Sequence, residues 1–209
     1  MPRATALQPL QELLLARGFT ERRGLFLRGG DGWQDWVGLN TASHKTPAGV
    51  VLVHPVLGVR VDAVEEKLLD LLPNDTSAYR YVTPTVTEPL RYLPTLASAP
   101  DHEWYLSEDA HSSASVADEI VLRLDTAGED YFASMRDPDA VLAALARTSV
   151  NGFPYVLRWA VAALVIGPRE QAVAATGAAL EELERTSEWV ATAYRPALDR
   201  LALEVGLHA

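Results

Sequence analysis

The chain has 209 residues, a formal net charge of −10 and no cysteine. The lack of cysteine excludes disulfides, thiolate metal sites and a cysteine nucleophile. Nucleic acids and anionic membranes are polyanionic, so the acidic charge argues against either as the main partner and favours a basic protein. The most apolar run, Val161–Ile166, is far shorter than the roughly 20 residues that span a membrane. We therefore predict a soluble, cytoplasmic protein.

A helix is predicted at the N-terminus, because Leu7, Leu10 and Leu14 recur at helical spacing. Pro9 lies within this pattern. Because proline is tolerated in the first turn of a helix, the helix is predicted to begin close to Pro9. Gly18 has the position of the left-handed residue that ends many helices.

The sequence from Gly18 to Val61 predicts consecutive β-strands. A first hairpin is expected around the turn residues Gly29–Gly32, and a third strand from Val50 to Arg60. This third strand is apolar on both faces, which is typical of a central strand that is covered on both sides. Pro55 has no backbone N–H, so regular pairing is expected to falter there.

The next segments alternate between helix and extended chain. Residues 62–72 are predicted to form a helix with Asp62 as its N-cap. Prolines argue against a helix in residues 81–100, which we interpret as extended. Residues 103–106 are predicted to form a short strand.

The rest of the chain is predicted to be helical. Ser115 and Asp118 have the spacing of a capping box. Asp137 followed by Pro138 is typical of a helix start. Residues 155–166 are apolar nearly all round, which indicates a buried helix.

A last long helical segment is predicted to follow Gly167–Pro168, with a kink or a break at Pro196. So short a link predicts that the helices on either side of it are direct neighbours. We interpret the apolar stripe of this segment as one face of an intramolecular bundle, with a dimer interface as the alternative. The stripe consists of Val173, Leu180, Leu183, Val190, Tyr194 and Leu201, with Thr176, Ser187 and Ala197 at its weaker positions.

These elements together predict an α+β fold. An N-terminal helix and an antiparallel or mixed β-sheet come from the first half of the chain, and a helical C-terminal half packs on them. The length suits one domain. We predict a single domain over residues 1–209, with a sheet-rich part in 1–110 and a helical part in 111–209.

The sequence contains no Gly-x-Ser-x-Gly motif and no phosphate-binding Gly-Lys-Ser/Thr motif, so an enzyme is not favoured. Paired carboxylates such as Glu65–Glu66 are interpreted as exposed helix faces. The densest group of potential metal ligands matches no metal-binding spacing and is interpreted as a solvated acidic loop, so no metal or other cofactor is predicted. That group consists of His102, Glu103, Glu108, Asp109 and His111.

Aromatic residues near the predicted sheet are candidates for partner binding. Trp33 and Trp36 are three residues apart, so a regular strand would place them on opposite faces. An exposed indole beside an acidic surface would be an anchor for a partner. Core packing is the favoured interpretation for each ring, including those of Trp104 and Tyr105. We single out Trp36 and Trp104.

His54 and Arg60 on the third strand are the other candidate ligand-binding or partner-binding residues. Arg60 follows an apolar run and cannot be buried without a partner. It would either clamp a carboxylate of a ligand or partner, or form an internal ion pair with Asp62 or Glu65.

Several short motifs of the first half resemble a family of bacterial domains. They are Gly18-Phe19, Trp36–Asn40, His54–Arg60 and Pro89–Pro94, followed by Trp104. Through them the chain resembles an uncharacterised actinobacterial family of small cytoplasmic α+β domains. The resemblance implies an α+β fold and a bacterial cytoplasmic protein, and it implies no catalytic residues. Some similar domains are regarded as immunity proteins of contact-dependent toxin systems.

Two functions are predicted from these features. The leading hypothesis is a non-enzymatic protein, of immunity type in its narrower form, that binds a basic protein through an acidic surface. Residues 62–139 would supply that surface, since they contain 17 acidic and 5 basic residues. The alternative is a small-molecule-binding protein or enzyme, with a pocket between sheet and helices walled by Trp36, His54 and Arg60. Monomer and dimer both stay open.

Overall fold

The computed structural model describes residues 2–42, 46–72, 82–93, 103–107, 109–149 and 152–207. Over these residues the chain has the predicted α+β fold, with an N-terminal helix, an antiparallel sheet from the first half and a helical C-terminal half. The chain divides into two compact units. The first unit takes its described residues from 1–60 and 87–134, and the second from 61–86 and 135–209. The single domain predicted over residues 1–209, with a sheet-rich part in 1–110 and a helical part in 111–209, stays a prediction.

The regular elements follow one another along the chain as α1 (Pro2–Ala16), β1 (Thr20–Arg22), β2 (Leu25–Gly30), β3 (Trp33–Ala42), β4 (Val50–Val61), α2 (Asp62–Leu71), β5 (Val86–Pro89), β6 (Trp104–Ser107), α3 (Ala110–Arg123), α4 (Glu129–Ser134), α5 (Pro138–Thr148), α6 (Phe153–Ile166), α7 (Arg169–Arg185) and α8 (Glu188–Val205). A 3₁₀ turn, Leu90–Tyr92, follows β5, and a π-helical segment, Leu124–Gly128, joins α3 to α4. Of the segment predicted to be extended, residues 81 and 94–100 lie outside the described residues.

The C-terminal end of α1 has the predicted glycine cap. Gly18 has a φ of +81°, and the backbone N–H of Phe19 donates to the carbonyl of Leu14 at 3.3 Å. This is the hydrogen-bond pattern of a Schellman motif. The predicted place of Pro9 in the first turn is wrong, because α1 begins at Pro2 and holds Pro9 in its interior. Burial of the leucine face stabilises the helix despite the missing backbone hydrogen bond.

Strands β1, β2 and β3 form an antiparallel meander joined by two tight turns. Arg23 and Gly24 have φ values of +58° and +78°, and Asp31 and Gly32 have φ values of +57° and +84°. Positive φ at both central residues defines the type I′ turn, whose twist matches that of the paired strands. The sequence predicted the second turn and missed the first. Nothing in the sequence indicated that Arg23 forms part of a turn, because residues other than glycine rarely adopt positive φ.

Strand β4 is central, as predicted. Within the described residues it pairs with β3 and β5 on the path β1-β2-β3-β4-β5, and also with β6. The pairing with β6 aligns Val53 with Trp104 and ends there. β4 continues as a strand through Pro55 to Val61, beyond the end of its pairing with β6, and the faltering of pairing expected at Pro55 stays a prediction. A proline removes one donor from a strand, and the other residues of β4 retain theirs.

Two predicted helix starts are wrong. α2 includes Asp62 itself, with Val61 in the capping position and no side-chain capping bond. α3 begins after Asp109, whose carboxylate accepts the N–H of His111 at 3.3 Å. Ser115–Asp118 therefore lies inside α3 and forms no capping box.

The start of α5 is as predicted. The carboxylate of Asp137 accepts the backbone N–H of Asp139 at 3.0 Å, and Pro138 occupies the first turn. An aspartate cap satisfies a donor that has no partner within the helix, and proline there loses no helical hydrogen bond.

In the first unit, helices α1 and α3 pack on each other and on β6. The largest fully buried side chains there come from the helices, the hairpin and the central strands, so the core lies between the sheet and this helix pair. They include Leu10, Phe26, Leu57, Trp104 and Leu106.

The second unit is a bundle of α2 and α5–α8, in which α6 packs against each of the other helices. The pairing of α6 with α7 across Gly167–Pro168 confirms that these helices are neighbours. The predicted stripe is right in part for α7, since Thr176 and Leu183 are buried, whereas Val173 and Leu180 are only half-buried. Alanines complete the buried face, because small side chains let two helices approach closely. The buried residues of α7 are Ala172, Ala175, Thr176, Ala179 and Leu183.

The last helical segment divides at Thr186–Ser187 into α7 and α8. The hydroxyl of Thr186 donates to the carbonyl of Leu183 at 2.8 Å, which satisfies an acceptor at the end of α7. Pro196 lies inside α8, so the division predicted there is wrong, and the kink predicted as its alternative stays a prediction.

Candidate functional site

The four residues singled out from the sequence lie on three strands. Trp36 is on β3, His54 and Arg60 are on β4, and Trp104 is on β6. Trp36 and Trp104 are 7% and 1% exposed, so both rings belong to the core. The indole N–H of Trp104 donates to Glu119 at 3.4 Å. A binding role for the four residues stays a prediction.

The ring of Trp36 determines which residue can stand two positions along β3. A Cβ built on Gly38 would lie 2.8 Å from Cζ3 of Trp36, closer than carbon atoms approach without repulsion. The indole therefore lies across the backbone of Gly38, and glycine is the residue that leaves room for it.

His54 and Arg60 have different environments on β4. His54 is half-buried, in the part of the strand where half-buried and buried residues alternate. Arg60 is 5% exposed, in the stretch Leu57–Val61 where every residue is buried. Arg60 has an interaction partner, so it is not a free cation.

The predicted acidic loop is described only in part. His102 and Glu108 lie outside the described residues. The hydroxyl of Tyr105 donates to Glu103, which raises the pKa of Tyr105 above its ordinary value. Asp109 is the cap of α3. Among the residues that the structure describes, no three potential ligands come together to hold a metal ion.

Arg28 is the centre of a charged and aromatic cluster in the first unit. Its Nη2 donates to both carboxylate oxygens of Glu129 at 2.8 Å and to Asp35 at 2.9 Å. Its guanidinium carbon lies 4.6 Å from the ring centroid of Phe19 and 5.6 Å from that of Phe132. Burial disfavours the charged guanidinium, but the hydrogen bonds to Glu129 and Asp35 outweigh burial and raise its pKa. Two carboxylates and two rings surround Arg28, so we interpret the cluster as structural.

A second ion pair in the first unit fixes the π-helical segment. Arg17 donates from Nε to Oδ1 of Asp125 at 2.6 Å and from Nη2 to Oδ2 at 2.7 Å. These hydrogen bonds lower the pKa of Asp125 and raise that of Arg17. The pair is bidentate, the geometry in which arginine binds carboxylates most strongly.

The second unit contains a cavity of about 160 Å³ that is lined by α2, α6, α8 and residue 83. Its walls are mostly apolar, with Leu68 from α2, Leu72 just after α2, and Pro154 and Leu157 from α6. Small-molecule sites combine such walls with a few convergent polar groups.

The polar part of the cavity is an ion pair between Glu65 and Arg158. Arg158 Nη2 donates to Oε2 of Glu65 at 3.1 Å. The hydroxyl of Thr85 donates to Oε1 of Glu65 at 2.8 Å and accepts the backbone N–H of Val61 at 2.9 Å. The Glu65 side chain is 3% exposed and that of Arg158 is 25% exposed. The carboxylate is therefore buried and satisfied, and the guanidinium is partly open.

The interpretation of Glu65–Glu66 as an exposed helix face is wrong for Glu65, although Glu66 is exposed. Glu65 shares the buried face of α2 with Val64 and Leu68. The helical spacing of Glu65 from Leu68 was the available signal. Glu65 also lies in the first turn of α2, where the helix dipole stabilises a negative charge.

Trp189 is the large hydrophobic side chain with the greatest exposure in the described part of the chain, at 77%. It lies in the first turn of α8, where it lines a shallow, open depression with Glu188, Thr192 and Ala193. The sequence interpretation passed over Trp189 because it lies off the predicted stripe. The available signal was a large ring on the polar side of an acidic helix.

No family model, no curated protein and no solved structure matches this chain. The resemblance to an actinobacterial family therefore stays a prediction. None of the described helices is both long and apolar enough to cross a membrane.

Proposed function

We propose that the chain is a non-enzymatic binding protein that engages a basic protein through the Trp189 surface, defined as Glu188, Trp189, Thr192 and Ala193. The observation that carries the proposal is the 77% exposure of Trp189. Tryptophan is enriched among the few interface residues that dominate binding energy. Burying apolar surface contributes about 25 cal/mol per Å², so covering this ring gives a partner a large gain.

Charge supports a basic partner. The whole chain carries −10, and Glu188 adjoins the exposed ring. At the end of α7, Arg185 pairs with Glu181 and Glu182, and Arg195 of α8 pairs with Glu184, so these three glutamates exceed the two arginines by one charge. Such a surface attracts basic proteins and accelerates their association at low salt. In its narrower form the proposal is a bacterial, cytoplasmic protein of immunity type whose basic partner is a toxin, and its support is the sequence resemblance.

Affinity capture with matched variants tests the Trp189 surface. Wild type, Trp189→Ala and Leu203→Ala are immobilised and exposed to lysate of the source organism. Leu203 is 65% exposed on the same helix and provides the control. We expect a basic protein to be retained by wild type and Leu203→Ala and lost with Trp189→Ala.

The captured protein is then purified and its affinity is measured at low and high salt. The affinity is expected to fall as salt screens the acidic surface. Equal retention by all three proteins, an acidic partner or an affinity indifferent to salt would contradict the proposal. Self-association of wild type that Trp189→Ala abolishes would show that the surface binds a second copy.

A further inference from the structure

We propose that the cavity of the second unit binds a small monocarboxylate with an apolar body, the size of benzoate or a short fatty acid. This site is separate from the Trp189 surface and does not depend on the proposed protein partner. It rests on the Glu65–Arg158 pair and on the leucine walls beside it.

The donors in the cavity assign the charge of the ligand. Each carboxylate oxygen of Glu65 already accepts a hydrogen bond, one from Thr85 and one from Arg158. A cationic ligand would therefore meet a buried carboxylate whose oxygens are both engaged. Arg158 has five N–H donors, and within the described residues its Nε–H is buried without an acceptor. The partly exposed guanidinium has donors to offer, so the ligand is an anion.

The walls of the cavity assign the body of the ligand. Leu68, Leu72 and Leu157 present aliphatic carbon, which favours an apolar group over a sugar or a phosphate. The volume is about 160 Å³, and an apolar cavity of about 150 Å³ holds a molecule the size of benzene. Thr83 and Tyr194 also line the cavity. A single carboxylate on a ring or short chain matches these dimensions.

Glu65 would hold Arg158 in place for this ligand. The hydrogen bond to Glu65 fixes one edge of the guanidinium, and Arg158 lies on α6, which packs against α2. A guanidinium that is already oriented loses less conformational entropy when it binds a carboxylate. Arg158 is thus the proposed ligand-binding residue, and Glu65 is a positioning residue.

Three matched probes test the charge and the shape on the wild-type protein. Benzoate, benzyl alcohol and benzylamine are titrated while leucine methyl groups are followed by NMR. We expect benzoate to bind with a millimolar dissociation constant or tighter, and benzyl alcohol about tenfold more weakly, because it lacks the charged hydrogen bond. Shifts are expected at Leu68 and Leu157. Absence of benzoate binding, or binding of benzylamine as tight as that of benzoate, would overturn the proposal.

Two variants test the location. Leu72→Trp fills the cavity while both residues of the ion pair keep their identity, and is expected to weaken benzoate binding at least tenfold, with Leu203→Trp as the exposed control. Arg158→Lys keeps the charge and loses the planar fork, and is also expected to weaken binding, with Arg147→Lys as the exposed control. If Arg158→Lys does not fold, the benzoate affinity of Leu72→Trp alone tests the location of the site. Unchanged affinity in a folded Leu72→Trp variant would place benzoate elsewhere and overturn the proposal.

Discussion

Arg28 of β2 and Glu129 of α4 are joined by two hydrogen bonds of 2.8 Å, although 101 residues separate them in the chain. The same guanidinium donates to Asp35 on β3. One side chain therefore links two neighbouring strands and a helix of the first unit. The two carboxylates differ in environment, since the side chain of Asp35 is 7% exposed and that of Glu129 is 41% exposed.

This difference predicts unequal costs for removing the two sides of the cluster. Arg28→Met leaves the buried carboxylate of Asp35 without its guanidinium, and we expect the free energy of unfolding to fall by about 3–5 kcal/mol. Glu129→Gln leaves a guanidinium that is still paired, and we expect a loss of less than about 1 kcal/mol. Urea denaturation measures both. Equal losses would show that Asp35 does not depend on Arg28.

The ion pair of Arg17 with Asp125 predicts a dependence of stability on acid pH. The pKa of Asp125 is lower in the folded protein, so the folded state binds fewer protons than the unfolded state. The stabilisation is therefore present above the ordinary aspartate pKa of about 3.9 and is lost as the pH falls through the lowered pKa. Because Asp125 is 41% exposed, we expect a contribution of less than about 1 kcal/mol.

Asp125→Asn tests this dependence. The difference in the free energy of unfolding between wild type and Asp125→Asn is measured by urea denaturation from neutral to strongly acid pH. We expect a constant difference near neutral pH that shrinks at acid pH. A difference that grows on acidification would contradict the sign of the pKa shift.

The contact of Trp36 with Gly38 predicts that a single methyl group disturbs the sheet. Gly38→Ala forces the indole or the strand to move, at a cost of about 1–3 kcal/mol. Gly30→Ala is the control, because Gly30 ends the neighbouring strand β2 and a Cβ there meets nothing within 4 Å. Thermal unfolding compares the two. Near-ultraviolet circular dichroism should change for Gly38→Ala alone, and equal effects would contradict the steric explanation.

The small-residue face of α7 predicts that a larger side chain is more harmful on this face than on the exposed side of the same helix. Ala175 is fully buried, whereas Ala174 is exposed. Ala175→Leu forces α7 away from its neighbours, and we expect a loss of about 1–3 kcal/mol. Ala174→Leu adds the same atoms to the exposed side of the same helix, and we expect it to change the free energy of unfolding by less than about 0.5 kcal/mol. Chemical denaturation measures the free energy of unfolding of the two variants. Equal values would show that this face of α7 is not tightly packed.

The sequence predicted those features that depend on a few neighbouring residues. The glycine end of α1 at Gly18 and the aspartate start of α5 at Asp137 are of this kind, since a cap is a contact within one turn. The helix boundaries predicted from Pro9 and Pro196 were wrong because the effect of a proline depends on what else stabilises the helix. At Pro9 a buried leucine face outweighs one missing hydrogen bond, and α8 likewise continues through Pro196.

The candidate site was less accessible to sequence reasoning. Glu65 and Arg158 are 93 residues apart, and no local pattern shows that two helices bring them together. The face of α7 was assigned only in part, because Val173 and Leu180 were taken as buried, whereas close helix packing favours alanine. Trp189 was visible as an aromatic residue, but its exposure depends on which face of α8 the bundle covers.

The end of the meander has a consequence for association between molecules. β1 is an edge strand of the sheet in the described part of the chain, and it has only three residues, all exposed. Two of them, Glu21 and Arg22, carry charge, and the type I′ turn at Arg23–Gly24 ends the strand at once. A long, flat, uncharged edge is a template on which a strand of another molecule can add, and fibrils grow in this way. So short and charged an edge offers few backbone groups to an incoming strand, which protects this side of the sheet from aggregation.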